Sequence, residues 1–262
     1  MTGMVPLIQR PRGVWRNIAG VFTDIDDTLT CDGAIAPEAL EALGSLKQAG
    51  LHVIAITGRP VGWSEPFAKS WPVDAIVAEN GSVALLKDGK RYQADAATRA
   101  ANFDRLQEVA ACVLREVPGT MLAQDSAGRE TDIAIDHSEF THLSAPQIAK
   151  VVAIMRREGL NASVSSIHVN GWVGGHDKWQ GARWITEVLF GRDLALETER
   201  WVYVGDSTND QVMFQHMTHS VGVANIRRFE AELVHKPDYV TQRERGAGFA
   251  EVARAILTDR AA

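Results

Sequence analysis

The chain has 262 residues, a formal net charge of -6, 45% hydrophobic residues and 23% charged residues. This composition is typical of a folded globular protein and excludes a disordered chain, which has too few apolar residues to build a core. The length indicates one large domain or a domain that carries an insert. The acidic balance disfavours a general nucleic-acid-binding protein, which needs a basic surface.

The sequence also indicates a compartment and disfavours a membrane protein. No apolar run approaches the roughly 20 residues of a membrane-spanning helix, and the first residues lack the apolar stretch of a signal peptide. Two cysteines, Cys31 and Cys112, cannot form a disulfide framework, so a reducing cytoplasm is the expected location. Neither an oligomeric state nor a role for residues 1–13 is predicted.

Both ends of the chain alternate strands with helices. Apolar runs at 19–25, 51–56 and 74–78 predict buried strands, and the segment between Pro37 and Gly50 predicts a helix. The same pattern returns late in the chain, with strands predicted at 201–204, 220–223 and 238–240 and helices at 179–189, 210–217 and 247–257. This order predicts an α/β fold: a Rossmann-like parallel sheet with helices on both faces.

The middle of the chain has a different pattern. Two helices with apolar faces are each followed by short β-like stretches, at 121–123 and 131–136 and then at 161–165 and 167–173. Glycines at Asn80-Gly81 and Gly174-Gly175 mark the crossing points, because glycine tolerates the backbone angles of a hinge. We therefore predict a catalytic core at 14–81 and 175–262 and an inserted α+β cap domain at 82–174.

The first predicted strand ends in an acidic motif, Thr23-Asp24-Ile25-Asp26-Asp27-Thr28. Carboxylates at this place are costly unless a positive group lies beside them. Ligands bind at the carboxyl ends of the strands in an open parallel sheet, and residues 24 and 26 lie on the same side of an extended chain. Oxygen ligands suit Mg²⁺, which also accepts phosphate oxygens. The motif predicts a Mg²⁺ site, with a solvated acidic turn as the alternative.

Three further motifs follow in the chain. Ile56-Thr57-Gly58-Arg59-Pro60 ends the second strand, where a hydroxyl and free N–H groups favour an anion. Lys178 stands directly before a predicted helix. Gly205-Asp206-Ser207-Thr208-Asn209-Asp210 follows the strand at 201–204 and brings a second pair of carboxylates to the same sheet edge. Each motif alone could be a helix cap, a surface lysine or an acidic turn.

Taken in order, these motifs resemble those of the haloacid dehalogenase superfamily. The pattern DxDxT, then T, then K, then GDxxND is specific as a set, although no single part is. The chain looks more closely like the Cof-like subfamily, whose cap lies between the second and third motifs. The segments 79–81, 221–225 and 238–241 are similar to that subfamily's pattern. The resemblance covers nearly the whole chain after residue 13.

The resemblance implies a role for each motif residue. Asp24 would be the nucleophile that accepts the phosphoryl group as an aspartyl phosphate, and Asp26 would be the general acid and base. The implied phosphate-binding residues are Thr57, Gly58, Lys178 and Asn209. The implied Mg²⁺ ligands are Asp24, the main-chain carbonyl of Asp26, Asp206 and Asp210. Of these, Asp210 would support the direct ligands or contact the metal through water. Asp27 departs from the pattern, since many relatives carry Gly there.

The leading hypothesis is a Mg²⁺-dependent phosphatase that hydrolyses a small phosphomonoester, with a sugar phosphate favoured. A phosphomutase of the same fold is the main alternative, because some mutases share this cap arrangement. A sugar-phosphate sensor without activity is disfavoured, because every catalytic position is filled. A dehalogenase is disfavoured by Asp26, which that reaction does not need.

The last cap strand predicts a substrate-facing surface. Its residues alternate between faces, so that Val169 and Val173 share one face while His168, Asn170 and Trp172 share the other. The apolar face should cover the cap helices. We expect the polar face to lie over the core sheet and to place His168 and Asn170 near the leaving group. The alternative is that this face meets solvent.

Overall fold

The computed structural model describes residues 3–261, in which one large sheet runs through the core. Its strands lie in the order β1-β15-β14-β13-β2-β5-β6-β7-β8. The strands as far as β6 are parallel, and β7 and β8 are antiparallel. The bounds are β1 Val5–Pro6, β2 Gly20–Thr23, β5 His52–Ile56, β6 Ala75–Ala78, β7 Val83–Leu86, β8 Gly89–Tyr92, β13 Trp201–Gly205, β14 His219–Gly222 and β15 Tyr239–Val240.

Helices cover both faces of this sheet, and the predicted α/β fold class is confirmed. The core helices are α1 Pro37–Gln48, α2 Val61–Ser70, α5 Lys178–Phe190, α6 Gln211–His216 and α7 Arg245–Ala261. A small hairpin of β3 Thr30–Cys31 and β4 Ala34–Ile35 follows the first motif. No helix between residues 3 and 261 has both the length and the apolar character needed to cross a bilayer.

The buried side chains explain why the central strands read as continuous apolar runs. Strands covered by helices on both faces must be apolar at every position rather than at alternate ones. Val21 and Val53 pack into the core cluster on one face, whereas Phe22 and Trp201 stack on the other with ring centroids 4.7 Å apart. The central strands are therefore rigid, and the loops at their carboxyl ends are held in fixed positions.

The insert forms a second, four-stranded antiparallel sheet in the order β11-β12-β10-β9. Its strands are β9 Met121–Leu122, β10 Asp132–Asp136, β11 Asn161–Val164 and β12 His168–Trp172. Two helices, α3 Ala96–Glu116 and α4 Ala145–Arg157, pack on the Ile/Val face of this sheet. Each helix and strand pair of the insert lies where the sequence pattern predicts it.

One boundary differs from the sequence-based division. The insert was expected to begin at residue 82, but the hairpin β7–β8 pairs with β6 and extends the core sheet. If the boundary is placed where strand pairing with the core sheet ends, the insert begins after Tyr92. The run from Val83 to Leu86 is apolar and buried because it joins a sheet already covered by helices.

The segment that returns from the insert to the core is packed tightly against the chain after β6. Gly81 has φ of +113°, and a Cβ atom there would lie 2.3 Å from the carbonyl oxygen of Asp177 and 3.2 Å from Cα of Gly181. Two chain segments and the first turn of α5 therefore meet at Gly81. Glycine is needed at this point because the three backbones approach too closely for any side chain.

We predict that Gly81→Ala lowers the free energy of unfolding by about 3 kcal/mol, from backbone strain and overpacking together. Gly44→Ala is the matched control, because Gly44 lies within α1 with nothing near its virtual Cβ. That substitution should raise stability by about 0.5–1 kcal/mol. Urea unfolding of the three proteins tests this, and equal effects of the two substitutions would contradict the packing.

Candidate active site

Three strand ends bring the acidic motifs together. Asp24 follows β2, Thr57 follows β5 and Asp206 follows β13, and these strands are neighbours in the sheet. Each is almost fully buried. Because the strands are parallel, all three side chains are delivered to one edge, as the chain order of the motifs predicts.

A buried lysine holds two carboxylates of this edge. The Nζ of Lys178 lies 2.6 Å from Oδ1 of Asp24 and 2.7 Å from Oδ1 of Asp210. Lys178 is 2% exposed although it is the first residue of α5. Its ammonium group is thus desolvated, and the two carboxylates provide the compensation that a buried cation requires.

Asp210 is fully occupied by protein donors. Its Oδ1 also accepts the hydroxyl proton of Tyr203, and its Oδ2 accepts from the backbone N–H groups of Asp206 and Ser207 at 2.8 Å and 3.0 Å. Gly205 allows this approach, since a Cβ atom there would lie 2.5 Å from the carboxylate. Asp210 therefore fixes the loop that carries Asp206.

Asp206 has one oxygen held and one oxygen open. Asn225 donates to Oδ2 of Asp206 at 3.1 Å and to the backbone carbonyl of Asp27 at 3.0 Å. Oδ1 of Asp206 is buried and has no hydrogen-bond partner among residues 3–261. Carboxylate oxygens of Asp24, Asp206 and Asp210 lie within 4.8 Å of one another. A buried open carboxylate oxygen beside two others fits a divalent cation with oxygen ligands, such as Mg²⁺.

The titration of these groups reflects their burial. Desolvation raises the pKa of Asp24 to about 8, although Lys178 acts in the opposite direction. Desolvation and the nearby carboxylates also raise the pKa of Asp206 well above its usual range. Burial alone would favour a neutral amine at Lys178, but Asp210 and Asp24 raise its pKa above the ordinary value. With all three carboxylates ionised the site would carry excess negative charge, and a bound cation would favour that ionised state.

The predicted phosphate-binding residues lie around this cluster. Oγ1 of Thr57 accepts from the backbone N–H of Arg59 at 3.0 Å. Gly58 presents its carbonyl to the cap, and Oδ1 of Asn209 accepts from the hydroxyl of Ser207 at 2.9 Å. Thr57 is buried, whereas Asn209 is half-buried. Their roles toward a phosphoryl group stay predictions.

Asp26 forms an ion pair with Arg59, a residue of the second motif for which the sequence predicted no role. The Nε of Arg59 lies 3.0 Å from both carboxylate oxygens of Asp26. The same guanidinium reaches the cap carboxylates Asp125 at 3.1 Å and Glu139 at 2.8 Å. Arg59 and His168 also hold the pKa of Glu139 at about 2, against the opposing effect of burial. Arg59 therefore joins the expected acid and base to the cap.

The polar face of the cap sheet meets the core, but its side chains have protein partners. His168 Nε2 lies 2.9 Å from Oε2 of Glu139. Asn170 donates to the carbonyl of Gly58 at 3.3 Å and to Asp132 at 3.2 Å. Both residues are about 2% exposed or less. Contact of His168 or Asn170 with a leaving group stays a prediction.

Other functional residues were not identified from the sequence. Tyr203 lies inside an apolar strand, where a tyrosine resembles any core aromatic. Asn225 lies in the segment 221–225, for which the sequence predicted no role. Asp27 has φ of 55°, a conformation that glycine adopts more easily than other residues. Its carboxylate pairs with Nε of Arg245 at 2.9 Å.

An α/β fold with acidic side chains at the carboxyl ends of neighbouring parallel strands is the arrangement that the haloacid dehalogenase motifs predict. Residues 21–111 match the family of haloacid dehalogenase-like hydrolases. This match agrees with the resemblance to the haloacid dehalogenase superfamily that the motifs indicate, and it confirms that assignment for the matched part of the chain. No curated protein matches the chain in sequence.

Several solved structures share the fold across the whole chain. A Thermoplasma acidophilum protein has a TM-score of 0.72 at 19% identity, covering 92% of this chain and 98% of its own. A HAD/Cof-like hydrolase from Plasmodium vivax has a TM-score of 0.68 at 15% identity, with coverage of 93% and 96%. The sucrose-phosphatase from Synechocystis, solved with sucrose and phosphate, has a TM-score of 0.66 at 16% identity, with coverage of 92% and 98%.

We predict that Mg²⁺ raises the melting temperature of the protein by several degrees, because it binds only the folded carboxylate cluster. The rise should be larger at pH 8.5 than at pH 6. A pKa of about 8 means that Asp24 holds a proton at pH 6, and this proton must leave before metal binds. Differential scanning fluorimetry measures both effects.

Asp206→Asn should remove most of this Mg²⁺ effect, because the open oxygen belongs to Asp206. Asp88→Asn is the control, since Asp88 is exposed and its ion pair among residues 3–261 is with Arg91. A Mg²⁺ shift that survives in Asp206→Asn, or that shrinks as pH rises, would argue against a metal site at this cluster.

Proposed function

We propose that this chain is a Mg²⁺-dependent phosphatase that hydrolyses a small phosphomonoester through an aspartyl-phosphate intermediate. The observation that carries the proposal is the buried cluster in which Lys178 joins Asp24 to Asp210 beside the open oxygen of Asp206. Phosphoryl transfer needs mainly positioning and charge neutralisation, and this cluster offers both. Sucrose-phosphatase among the similar structures supports sugar phosphates as the first substrate class to test.

Asp24 supplies the attacking oxygen in this proposal. Its carboxylate forms a bond to phosphorus while the ester oxygen departs, which gives an acyl phosphate and a free alcohol. Lys178 is in place to reduce the repulsion between a carboxylate and a phosphate dianion. Mg²⁺, when bound, adds a Lewis acid to the same task. Asp24, Asp206 and the main-chain carbonyl of Asp26 would hold it, with Asp210 behind them.

Asp26 serves the two proton transfers. It would give a proton to the leaving alkoxide and then take one from the water that hydrolyses the acyl phosphate. Arg59 orients this carboxylate with its Nε and must share its guanidinium with cap residues. We infer that Arg59 positions Asp26 rather than touching the reacting atoms.

A phosphomutase is the second candidate from the sequence. It would return the phosphoryl group to a sugar instead of to water and would need a bisphosphate activator. Release of inorganic phosphate from a panel of phosphorylated sugars and small metabolites, with and without EDTA, distinguishes the two. Turnover without any bisphosphate supports the phosphatase.

We predict that Asp24→Asn lowers kcat/KM by several orders of magnitude, because the variant lacks the nucleophile. The fold should be retained, since the amide fits the same space and relieves repulsion with Asp206. Released phosphate and circular dichroism are measured together. Activity within tenfold of wild type would be incompatible with Asp24 as the nucleophile.

We predict that Asp26→Asn produces a burst with 4-nitrophenyl phosphate. Nitrophenolate leaves without protonation, so formation of the phospho-enzyme continues while its hydrolysis loses the base. Rapid-quench kinetics should show about one equivalent of nitrophenol before a slow phase. Equal slowing of both steps, with no burst, would assign the proton transfers elsewhere.

A further inference from the structure

The contact between cap and core is closed on the side of β5 and β6. Glu79, fully buried at the end of β6, accepts from the backbone N–H of Glu130 at 3.0 Å and of Thr131 at 2.6 Å. It also accepts from the hydroxyl of Thr131 and from the N–H of Val61. A buried carboxylate with four donors from both domains is a strong attachment point.

Further contacts extend this closed side toward the active site. Arg129, 5% exposed, donates to the carbonyl of Gly58 at 3.0 Å and to Asp132 at 2.8 Å. Gly62 and Gly128 are so close that a Cβ atom on Gly62 would lie 2.9 Å from Cα of Gly128. Opening the cap on this side would break many buried polar contacts, so a substrate has no easy entry there.

The opposite side of the interface is a cleft of about 1030 Å³. Its floor includes Asp27 and Asp206. Asp206 is 1% exposed as a residue, and its buried Oδ1 has no hydrogen-bond partner among residues 3–261. One direct hydrogen bond crosses this side, from the hydroxyl of Thr208 to the carbonyl of Val164 at 2.7 Å. The cleft is thus the way into the carboxylate cluster and has the size of a small-molecule site.

One wall of the cleft is a helical stripe with an apolar surface. Positions 145, 148, 149, 152 and 153 of α4 line it at helical spacing, and Phe229 lines the core wall. The stripe consists of alanine, isoleucine and valine, so it suits a ring or a carbon chain. The other face of α4 packs into the cap core through Val151 and Met155.

The stripe ends in an arginine without an acidic partner. Arg156 lines the cleft, and among residues 3–261 no carboxylate forms an ion pair with it. Its neighbour Arg157 turns away and pairs with Glu116 at 2.8 Å. On the core wall, Arg228 pairs with Glu244 at 3.1 Å. Of the two arginines that line the cleft, Arg156 is the one without an ion-pair partner among residues 3–261.

The position of Arg156 sets the length of the ligand. The turn at Gly159 joins α4 to the first residue of β11, and β11 runs from there toward Thr208. Arg156 lies in the last turn of α4, and the turn after it leads to Asn161, from which β11 extends about 10 Å to the contact of Val164 with Thr208. A ligand that reaches both ends must carry its anionic group well away from the reacting phosphate.

We propose that the leaving group of the substrate occupies this cleft and carries a second anionic group, such as a carboxylate, that Arg156 binds. This inference rests on the proposed phosphatase function and narrows its substrate class. The planar guanidinium of an exposed arginine such as Arg156 can bind a carboxylate through two parallel hydrogen bonds, which gives directional recognition. The apolar stripe of α4 contacts the body of the leaving group, and Arg156 determines specificity rather than catalysis.

Two matched aryl phosphates test the charge requirement. One carries a propanoate in the para position, and the other carries the corresponding propanamide, so the two phenols have similar leaving tendency. Wild-type enzyme should hydrolyse the propanoate with a kcat/KM at least tenfold higher. Arg156→Gln should reduce this preference to less than threefold while leaving 4-nitrophenyl phosphate turnover within twofold.

Arg157→Gln is the matched control, because it removes the same charge one residue away. It should keep the wild-type preference. The proposal is overturned if wild type shows no preference, if Arg156→Gln keeps it, or if both variants lose it equally. Failure of wild type to release phosphate from any ester with Mg²⁺ would instead refute the phosphatase function.

A second variant tests the location of the leaving group. Ala149→Trp places a large side chain on the exposed stripe of α4, where it fills the cleft. It should lower kcat/KM for both aryl phosphates at least tenfold and leave acetyl phosphate, with its small leaving group, nearly unchanged. Lys150→Trp, on the neighbouring exposed position that contacts Glu116, should change neither. Equal kinetics for Ala149→Trp and wild type would exclude this cleft.

Discussion

The active site depends on the ion pairs that Lys178 makes with Asp24 and Asp210. Three carboxylates converge at the ends of two neighbouring strands, and their mutual repulsion in a buried place is unfavourable. One ammonium group, buried with them, offsets part of this repulsion but cannot balance three ionised carboxylates. The remaining charge is what a divalent cation and its phosphate ligand are suited to balance.

Lys178 also constrains the path of the chain. It is the first residue after the linker that returns from the cap, and it must reach the strand ends directly. The linker is therefore held against Gly81 and α5 rather than left loose. The same short segment therefore both positions the cap and brings Lys178 next to the nucleophile Asp24.

The two sides of the interface have different chemistry. The side at β5 and β6 is filled by buried carboxylates and arginines, each with several partners, and this fixes the cap on the core. The side at β13 and β14 keeps a cleft with an apolar wall. A cap held on one side and open on the other gives selectivity by shape and charge, because the cleft on the open side leads to Asp206.

The sequence by itself determined the α/β class, the positions of most strands and helices, and the four motifs. These features depend on local periodicity, and the carboxyl ends of parallel strands must share an edge. Tertiary structure decided the rest. The hairpin at 83–92 pairs with β6 at the edge of the core sheet, and no local sequence pattern predicts this pairing. Asp26 is tied to Arg59, and Asn170 to Gly58, by contacts between residues distant in the chain. Which cap surface stays open depends on how the core and the cap pack together. That packing is set by the buried partners of Glu79 and Arg129, which come from separate segments of the chain.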